Sequence, residues 1–213
     1  MARMTEPCPL CRWPAAFFCE TCKRTYYRCG QCGAVFMAPR HYLSPAAEKK
    51  RYAAHRNDVD DPRYQDFVRP LVDRVLAQCR PEHLGLDFGC GTGPVVSKLL
   101  EDQGYAIRQY DPFFCDRREL LEGSYDYVVC CEVIEHFRDP AGEFRRLRAL
   151  LKSGGKLFCQ TGMVEPGIDF PAWRYKNDTT HVFFYGEQTL EWIRVHCGYS
   201  SLVVAGRLAV FTA

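Results

Sequence analysis

The sequence predicts an α/β fold on a mostly parallel sheet, preceded by a small cysteine-rich ribbon, and three observations carry that reading. The first is Leu86-Asp87-Phe88-Gly89-Cys90-Gly91-Thr92-Gly93. An apolar run that ends in an acid and three spaced glycines is how a strand turns sharply into a helix while its loop backbone stays bare. The second is the helix and strand that follow, with Asp111 at the strand tip. An acid about 20 residues beyond such glycines is placed to accept the ribose hydroxyls of a nucleoside. The third is a pair of later strand patterns, Tyr125 to Glu132 and Lys156 to Gln160, with a helical stretch between them.

Composition bounds the rest. With 213 residues, 47% of them hydrophobic, the chain has enough apolar surface for one full domain plus an appendage. A net charge of +2 neither demands nor excludes nucleic acid. No apolar run approaches the roughly 18 residues of a membrane span, and Met1 to Pro7 lacks the apolar core of a signal peptide. The expectation is a cytoplasmic protein with no membrane partner. The 13 cysteines are an odd number and many fall in strand patterns, which argues for reduced thiols and against a disulfide framework.

Six of those cysteines form three C-x-x-C pairs, Cys8/Cys11, Cys19/Cys22 and Cys29/Cys32. Two such pairs share one tetrahedral Zn²⁺ when about 15 to 20 residues separate them. Cys11 to Cys29 fits that gap, Cys19/Cys22 is too close to either neighbour, and Gly33 stands where a knuckle often needs glycine. The metal set is therefore read as Cys8, Cys11, Cys29 and Cys32; a site using Cys19/Cys22 or an Fe–S cluster is the alternative. A segment this short cannot bury its own core, so a structural Zn²⁺ is expected to staple it.

From Pro39 to Pro45 the chain reads as a linker. A helical pattern runs from Ala46 through Tyr52, breaks around Asn57 to Pro62, and resumes at amphipathic spacing from Tyr64 to Leu76. Lys49, Lys50, Arg51 and Arg56 are read as a solvated basic face. After the glycines, Pro94 opens a helix with Val95, Val96, Leu99 and Leu100 on one stripe, and Gly104 stops it before the strand from Tyr105 to Tyr110. Between Asp111 and Tyr125 there is too little chain for a helix and a further strand. Asp139 and Pro140 begin a helix carrying Phe144, Leu147, Leu150 and Leu151, expected to end at Gly154. Thr161 to Asn177, with Trp173 and Tyr175, reads as a long loop over the C-terminal strand ends, where a substrate arrives. A helix from Glu187 to Cys197 and a terminal hairpin turned by Gly206-Arg207 complete the pattern.

Asp-x-Gly-x-Gly-x-Gly departs from the dinucleotide order G-x-G-x-x-G. It resembles motif I of the class I S-adenosylmethionine-dependent methyltransferases, and Tyr125 to Glu132 as the fourth strand, Leu150 to Leu157 before the fifth, and Asp111 are further matches to that family. The resemblance implies a Rossmann-like, seven-strand-type methyltransferase sheet with an antiparallel last strand. It divides the chain into a zinc ribbon (1–40), a helical linker and lid (41–80) and a class I methyltransferase domain (81–213). It also implies S-adenosylmethionine as cofactor, with Asp87 near the methionyl ammonium, Gly89, Gly91 and Gly93 for close backbone approach, and Asp111 on the ribose. Pro112, Phe113 and Phe114 would wall the adenine, and Glu132 would touch the cofactor. Tyr52, His55, Asn57 and Tyr64 become lid residues facing the pocket. The usual adenine acid after strand three is missing or displaced.

Cys8-Pro9-Leu10-Cys11, Arg51-Tyr52-x-x-His55-x-Asn57, Tyr110-Asp111-Pro112-Phe113, Glu132-x-x-Glu135-His136-Phe137 and Trp173-x-Tyr175-x-x-Asp178-x-Thr180-His181 together look like a group of bacterial zinc-ribbon methyltransferases. Glu132, Glu135, His136 and a downstream His181 are also similar to the metal-assisted O-methyltransferases of ubiquinone synthesis and of small-RNA 3′ ends, where Mg²⁺ or Mn²⁺ binds the acceptor. These four are the candidate catalytic residues, with His181 as general base or as a ligand. The competing reading makes Glu132 a cofactor contact, Glu135 a cap or salt bridge, and His136 a packed side chain. The expected reaction is methyl transfer to O or N of a small molecule or a macromolecule end. An RNA methyltransferase that grips RNA with its ribbon, and an inactive cofactor-binding adaptor, are the alternatives.

Overall fold

The computed structural model describes residues 5–54 and 57–213, arranged as two sheets with helices around the larger one. The central sheet holds six strands. β5 (Leu84–Phe88), β6 (Ala106–Tyr110), β7 (Tyr125–Cys131) and β8 (Leu151–Gln160) are parallel, and β11 (Leu208–Thr212) joins β8 antiparallel, followed at the edge by β10 (Ser201–Ala205). The spatial order is β10-β11-β8-β7-β5-β6. The seventh strand is absent from the sheet among the described residues, as the short span after Asp111 anticipates. A single 3-10 turn, Arg118–Glu122, fills the place of a helix and strand, so β6 is left as the sheet's edge.

Alternation along β7 builds both cores. Tyr127 and Val129 point to one face and join Val68, Leu71 and Val72 of α2 (Pro62–Gln78) and Val95, Val96 and Leu100 of α3 (Val95–Glu101). Val128 and Cys130 point to the other and pack with Phe144 and Leu147 of α4 (Pro140–Ala149) and Leu190 and Ile193 of α5 (Glu187–His196). Asp61 caps α2, accepting from the Arg63 amide, and Pro62 occupies its first turn; Asp139 and Pro140 do the same for α4. The fourth helix stops at Ala149, before the expected Gly154. Residues 151–155 instead belong to β8, where Tyr125 pairs with Leu151 but Tyr127 pairs with Lys156, and Gly154 at φ +74 absorbs the bulge.

The second sheet is the ribbon's. β1 (Thr5–Pro7), β2 (Pro14–Thr21), β3 (Arg24–Arg28) and β4 (Val35–Met37) run antiparallel, and its fifth member, β9 (Phe183–Phe184), comes from the far end of the chain. Val35 pairs with Phe184 and Phe36 with Phe183, with all four side chains buried. α1 (Pro45–Ala53), capped by Ser44, then crosses toward the C-terminal ends of the parallel strands. Among the described residues no helix is long and apolar enough to cross a membrane.

Candidate active site

The C-terminal ends of β5, β6 and β7 open into a cavity of about 710 Å³, roofed by α1 and α2. The glycine loop forms its floor. Gly89 at φ +84 and Gly91 at φ +63 occupy the left-handed region, which a side chain would strain. Gly93 has a different reason to be glycine, because a Cβ there would lie 1.9 Å from the Asn57 carbonyl oxygen. The lid backbone, and not only a ligand, therefore needs that position bare.

Asp87 lines the cavity and is almost fully buried. Burial pushes its carboxyl up to about 7, against the Ser97 hydroxyl, which donates to Oδ2 at 2.8 Å. Asp111 is engaged on both oxygens: Oδ2 accepts from Gly91 N at 3.0 Å, and Oδ1 from Phe113 N at 2.8 Å and Phe114 N at 3.1 Å. Sequence reasoning reads this acid as a ribose acceptor only. The structure also makes it the staple between the glycine loop and the turn that carries Pro112, Phe113 and Phe114 into the cavity wall. Tyr52 closes the wall from above, its ring 5.8 Å from Phe113 and 5.2 Å from His136 between centroids, with its hydroxyl donating to Glu48 Oε1. Asn57 and Tyr64 also line the cavity. His55 and Arg56 lie outside the described residues.

Beyond the end of β7 the candidate catalytic residues separate into two groups. Glu132 has φ +52, in a region costing an ordinary residue about 1–3 kcal/mol. Its Oε1 accepts from Arg207 Nη2 at 2.7 Å, and the guanidinium lies 5.4 Å from the Phe67 ring centre and 5.3 Å from that of Tyr175. Burial and the neighbouring Glu135 raise the Glu132 carboxyl to about 7, against the pull of Arg207.

Glu135, His136 and His181 form the second group, with one ligand atom of each lying within 4.8 Å of the others. Glu135 is fully buried; Thr161 Oγ1 donates to Oε2 at 2.9 Å and the Tyr175 hydroxyl donates to Oε1. Burial raises its carboxyl to about 7, opposed by those two hydroxyls. Both imidazoles are oriented by backbone carbonyls, which only accept. His136 Nδ1 donates to Thr180 O at 2.9 Å, and His181 Nδ1 to Tyr175 O at 2.8 Å. A ring so held presents Nε2 as its acceptor nitrogen when neutral, and that of His181 lies 4.0 Å from Glu135 Oε1. Burial lowers the His136 pKa, favouring its neutral form. A carboxylate and two imidazoles whose Nδ1 atoms are held by carbonyls is a donor set for a divalent ion, or a base with its orienting partners. Glu132, paired to Arg207, stands outside this trio.

The ribbon holds the other cysteine-rich group. The sulfurs of Cys8, Cys11, Cys29 and Cys32 lie within 4.8 Å of one another, with Cys8 to Cys32 at 3.6 Å and Cys11 to Cys29 at 3.4 Å. A tetrahedral ion with Zn–S bonds of about 2.3 Å separates its sulfurs by roughly 3.8 Å, so the four thiols are spaced for one. The two knuckles repeat each other: Arg12 N donates to Cys8 O and Gly33 N to Cys29 O, with φ +64 and φ +74 at the turning residues. Cys22 lies elsewhere, exposed at the β2–β3 turn with its sulfur 3.8 Å from Asn177 Oδ1, and Cys19 is half-buried on β2.

Residues 61–201 match a family model described as a methyltransferase domain. The chain belongs to the methyltransferase-domain family. Among similar proteins are ubiquinone biosynthesis O-methyltransferases. That of Xanthomonas euvesicatoria is 51% identical over 125 residues, covering 58% of this chain and 52% of that protein. That of Pseudomonas aeruginosa is 30% identical over 91 residues, covering 43% and 39%. The chain thus spans about half or less of the length of these curated relatives. Two solved structures share the fold of this methyltransferase domain. Burkholderia thailandensis 1,6-didemethyltoxoflavin-N1-methyltransferase, with S-adenosylhomocysteine bound, gives a TM-score of 0.57 at 16% identity, covering 92% of this chain and 96% of that one. Haemonchus contortus phosphoethanolamine N-methyltransferase 2, in complex with S-adenosyl-L-methionine, gives 0.57 at 17%, covering 80% and 48%. The fold is that of the class I S-adenosylmethionine-dependent methyltransferases. Its family match begins at residue 61, so the ribbon lies outside it.

Sequence reasoning missed Arg207, read only as half of a hairpin turn, and gave Tyr175 and Thr161 no chemical role. Their pairing with Glu132 and Glu135 depends on which strand ends the topology brings together, and no local pattern carries that.

Proposed function

We propose that this methyltransferase domain transfers the methyl group of S-adenosylmethionine to an oxygen of a small-molecule acceptor, and that Cys8, Cys11, Cys29 and Cys32 hold a structural Zn²⁺. The observation that carries the reaction is the Glu135, His136 and His181 trio, whose two histidines line a cavity floored by a glycine loop. The relatives named O-methyltransferases support oxygen as the acceptor atom. A small acceptor is supported by the ties on α1: Arg51 bridges to Asp178 at 2.8 Å, and Glu48 to Arg138 at 2.7 Å, holding that helix over the cavity.

Asp87 would receive the methionyl ammonium, Asp111 a ribose hydroxyl through the lone pair left on Oδ2 beside its amide bonds, and Phe113 and Phe114 the adenine. Methyl transfer from a sulfonium is an in-line displacement, in which a bond from acceptor oxygen to methyl carbon forms as the carbon–sulfur bond breaks. The chain's share is alignment and removal of the acceptor's proton. His181 Nε2 would take that proton, and Glu135, 4.0 Å away, would stabilise the imidazolium formed. Mg²⁺ or Mn²⁺ held by Glu135, His136 and His181 would instead lower the acceptor's pKa.

The test is transfer of labelled methyl from S-adenosylmethionine to fractionated cell extract. His181→Ala should retain cofactor binding and lose roughly 10²-fold in turnover, the usual scale for a general base. Loss of activity to a chelator and its return with Mg²⁺ or Mn²⁺, with the ribbon's Zn²⁺ retained, assigns the ion; indifference assigns the base. Full turnover in His181→Ala would remove His181 from both roles.

A further inference from the structure

The ribbon touches the segment that carries His181 from both sides. Before the histidine, the β2–β3 turn delivers Arg24, whose Nη1 donates to Asp178 O at 3.2 Å and whose Nη2 donates to Asn177 O at 3.3 Å. Lys176, almost fully buried, donates to Asn177 Oδ1 at 2.9 Å and reaches Cys22 Sγ of the same turn at 3.8 Å. After the histidine, Met37 N donates to Val182 O at 2.8 Å and β4 pairs with Phe183 and Phe184.

What lies between these two grips orients the imidazoles. Asp178 Oδ1 accepts from Thr180 N at 3.0 Å and Thr180 Oγ1 at 2.7 Å, while Oδ2 accepts from Arg51. Thr180 O in turn accepts from His136 Nδ1, and Tyr175 O, one residue before Lys176, accepts from His181 Nδ1. Val182 N donates to Glu135 O at 2.9 Å. The two carbonyls that aim the imidazoles, Tyr175 O and Thr180 O, therefore lie within two residues of backbone or side chains that the ribbon holds.

We propose that the N-terminal ribbon is a positioning element of the active site, with Arg24 and β4 clamping residues 177–184 so that both imidazoles keep their Nδ1–H tautomer and present Nε2 to the acceptor. The proposal rests on the reading of Glu135, His136 and His181 as the catalytic trio. Arg24 touches none of the reacting groups; it is a positioning residue whose fork spans two adjacent carbonyls, a geometry that a lysine ammonium cannot reproduce.

The experiment is long-range proton–nitrogen correlation of the imidazoles in full-length, ¹⁵N-labelled protein at neutral pH, with His136→Gln and His181→Gln supplying the assignments. Wild type should show the Nδ1–H tautomer at both rings. Arg24→Ala should lose that pure signature at His181 and weaken it at His136, while Zn²⁺ content and S-adenosylhomocysteine affinity stay at wild-type values. Arg24→Lys and Arg24→Gln, run in parallel, keep much of the side chain's bulk and protect the test should the alanine variant misfold. Recovery in the order lysine, then glutamine, then alanine supports the clamp. Identical tautomer patterns in wild type and all folded variants, or a wild type without the Nδ1–H signature, would overturn it. Because the readout needs no acceptor, a protein with both rings ordered by Arg24 but no methyl transfer would refute the proposed reaction and leave the clamp standing.

Discussion

Asp87 is where the cofactor end of the cavity can be tested without knowing the acceptor. Its carboxyl sits at about 7 because it is buried, with Asp111 and Glu101 adding repulsion and Ser97 opposing them. An ammonium brought against it requires the ionised form, so binding should expel a proton. S-Adenosylhomocysteine carries the same amino-acid head as the methyl donor and serves as the probe. For a group near 7, about 0.9 proton should leave per binding event at pH 6 and about 0.1 at pH 8. The bound-state pKa lies below the free-state one, so affinity is fully present above the free value and is lost as pH falls through it. That loss should be about tenfold, or about 1.4 kcal/mol, for each pH unit below 7 until the bound-state pKa is reached. Calorimetry in two buffers of different ionisation heat reads affinity and proton count together, and Asp87→Asn should flatten both. Affinity unchanged from about pH 5.5 to about 8.5, or a slope that survives in Asp87→Asn, would refute the reasoning that this acid meets the ammonium.

Two further outcomes follow from the geometry. Metal analysis should find about one Zn²⁺ per chain; Cys8→Ser with Cys29→Ser should abolish it, and Cys19→Ser with Cys22→Ser should keep it, the reverse pattern assigning the metal to the wrong pairs. Gly93→Ala places a methyl group 1.9 Å from the Asn57 carbonyl oxygen, so hydrogen exchange in α1 and the first turn of α2 should quicken and S-adenosylhomocysteine should bind more weakly; unchanged exchange would show that the lid does not rest on this glycine.

What the sequence makes legible is what local chemistry encodes. The glycine loop, the acid at each strand tip, the capped helices and the period-2 strands all follow from short-range rules, and so does the missing strand after Asp111. The end of α4 does not, because Gly154 serves equally as a helix stop or as the bulge of a strand, and only pairing with β7 decides between them. Glu135 and His136 stand in a readable motif, yet their partners Thr161, Tyr175 and Thr180 come from loops that converge only in the folded chain. Glu132 appears beside them in sequence but pairs with Arg207 instead of joining the trio. Gly93 shows the same limit from another side: the pattern says glycine, and only the structure says that the lid backbone is the reason.

Pairing β4 with β9 also has a consequence for how the chain reaches its native state. The ribbon is made well before the strand that covers its last edge, so an apolar edge with Val35 and Phe36 waits unpaired until Phe183 and Phe184 have emerged. Such long-range closure pays its entropy before any contact rewards it, and an uncovered strand edge invites pairing with other chains. Cutting the ribbon away would leave the mirror-image problem, with Phe183 and Phe184 bare on the remaining domain. A shortened chain lacking residues before β5 is therefore expected to aggregate more readily than the whole.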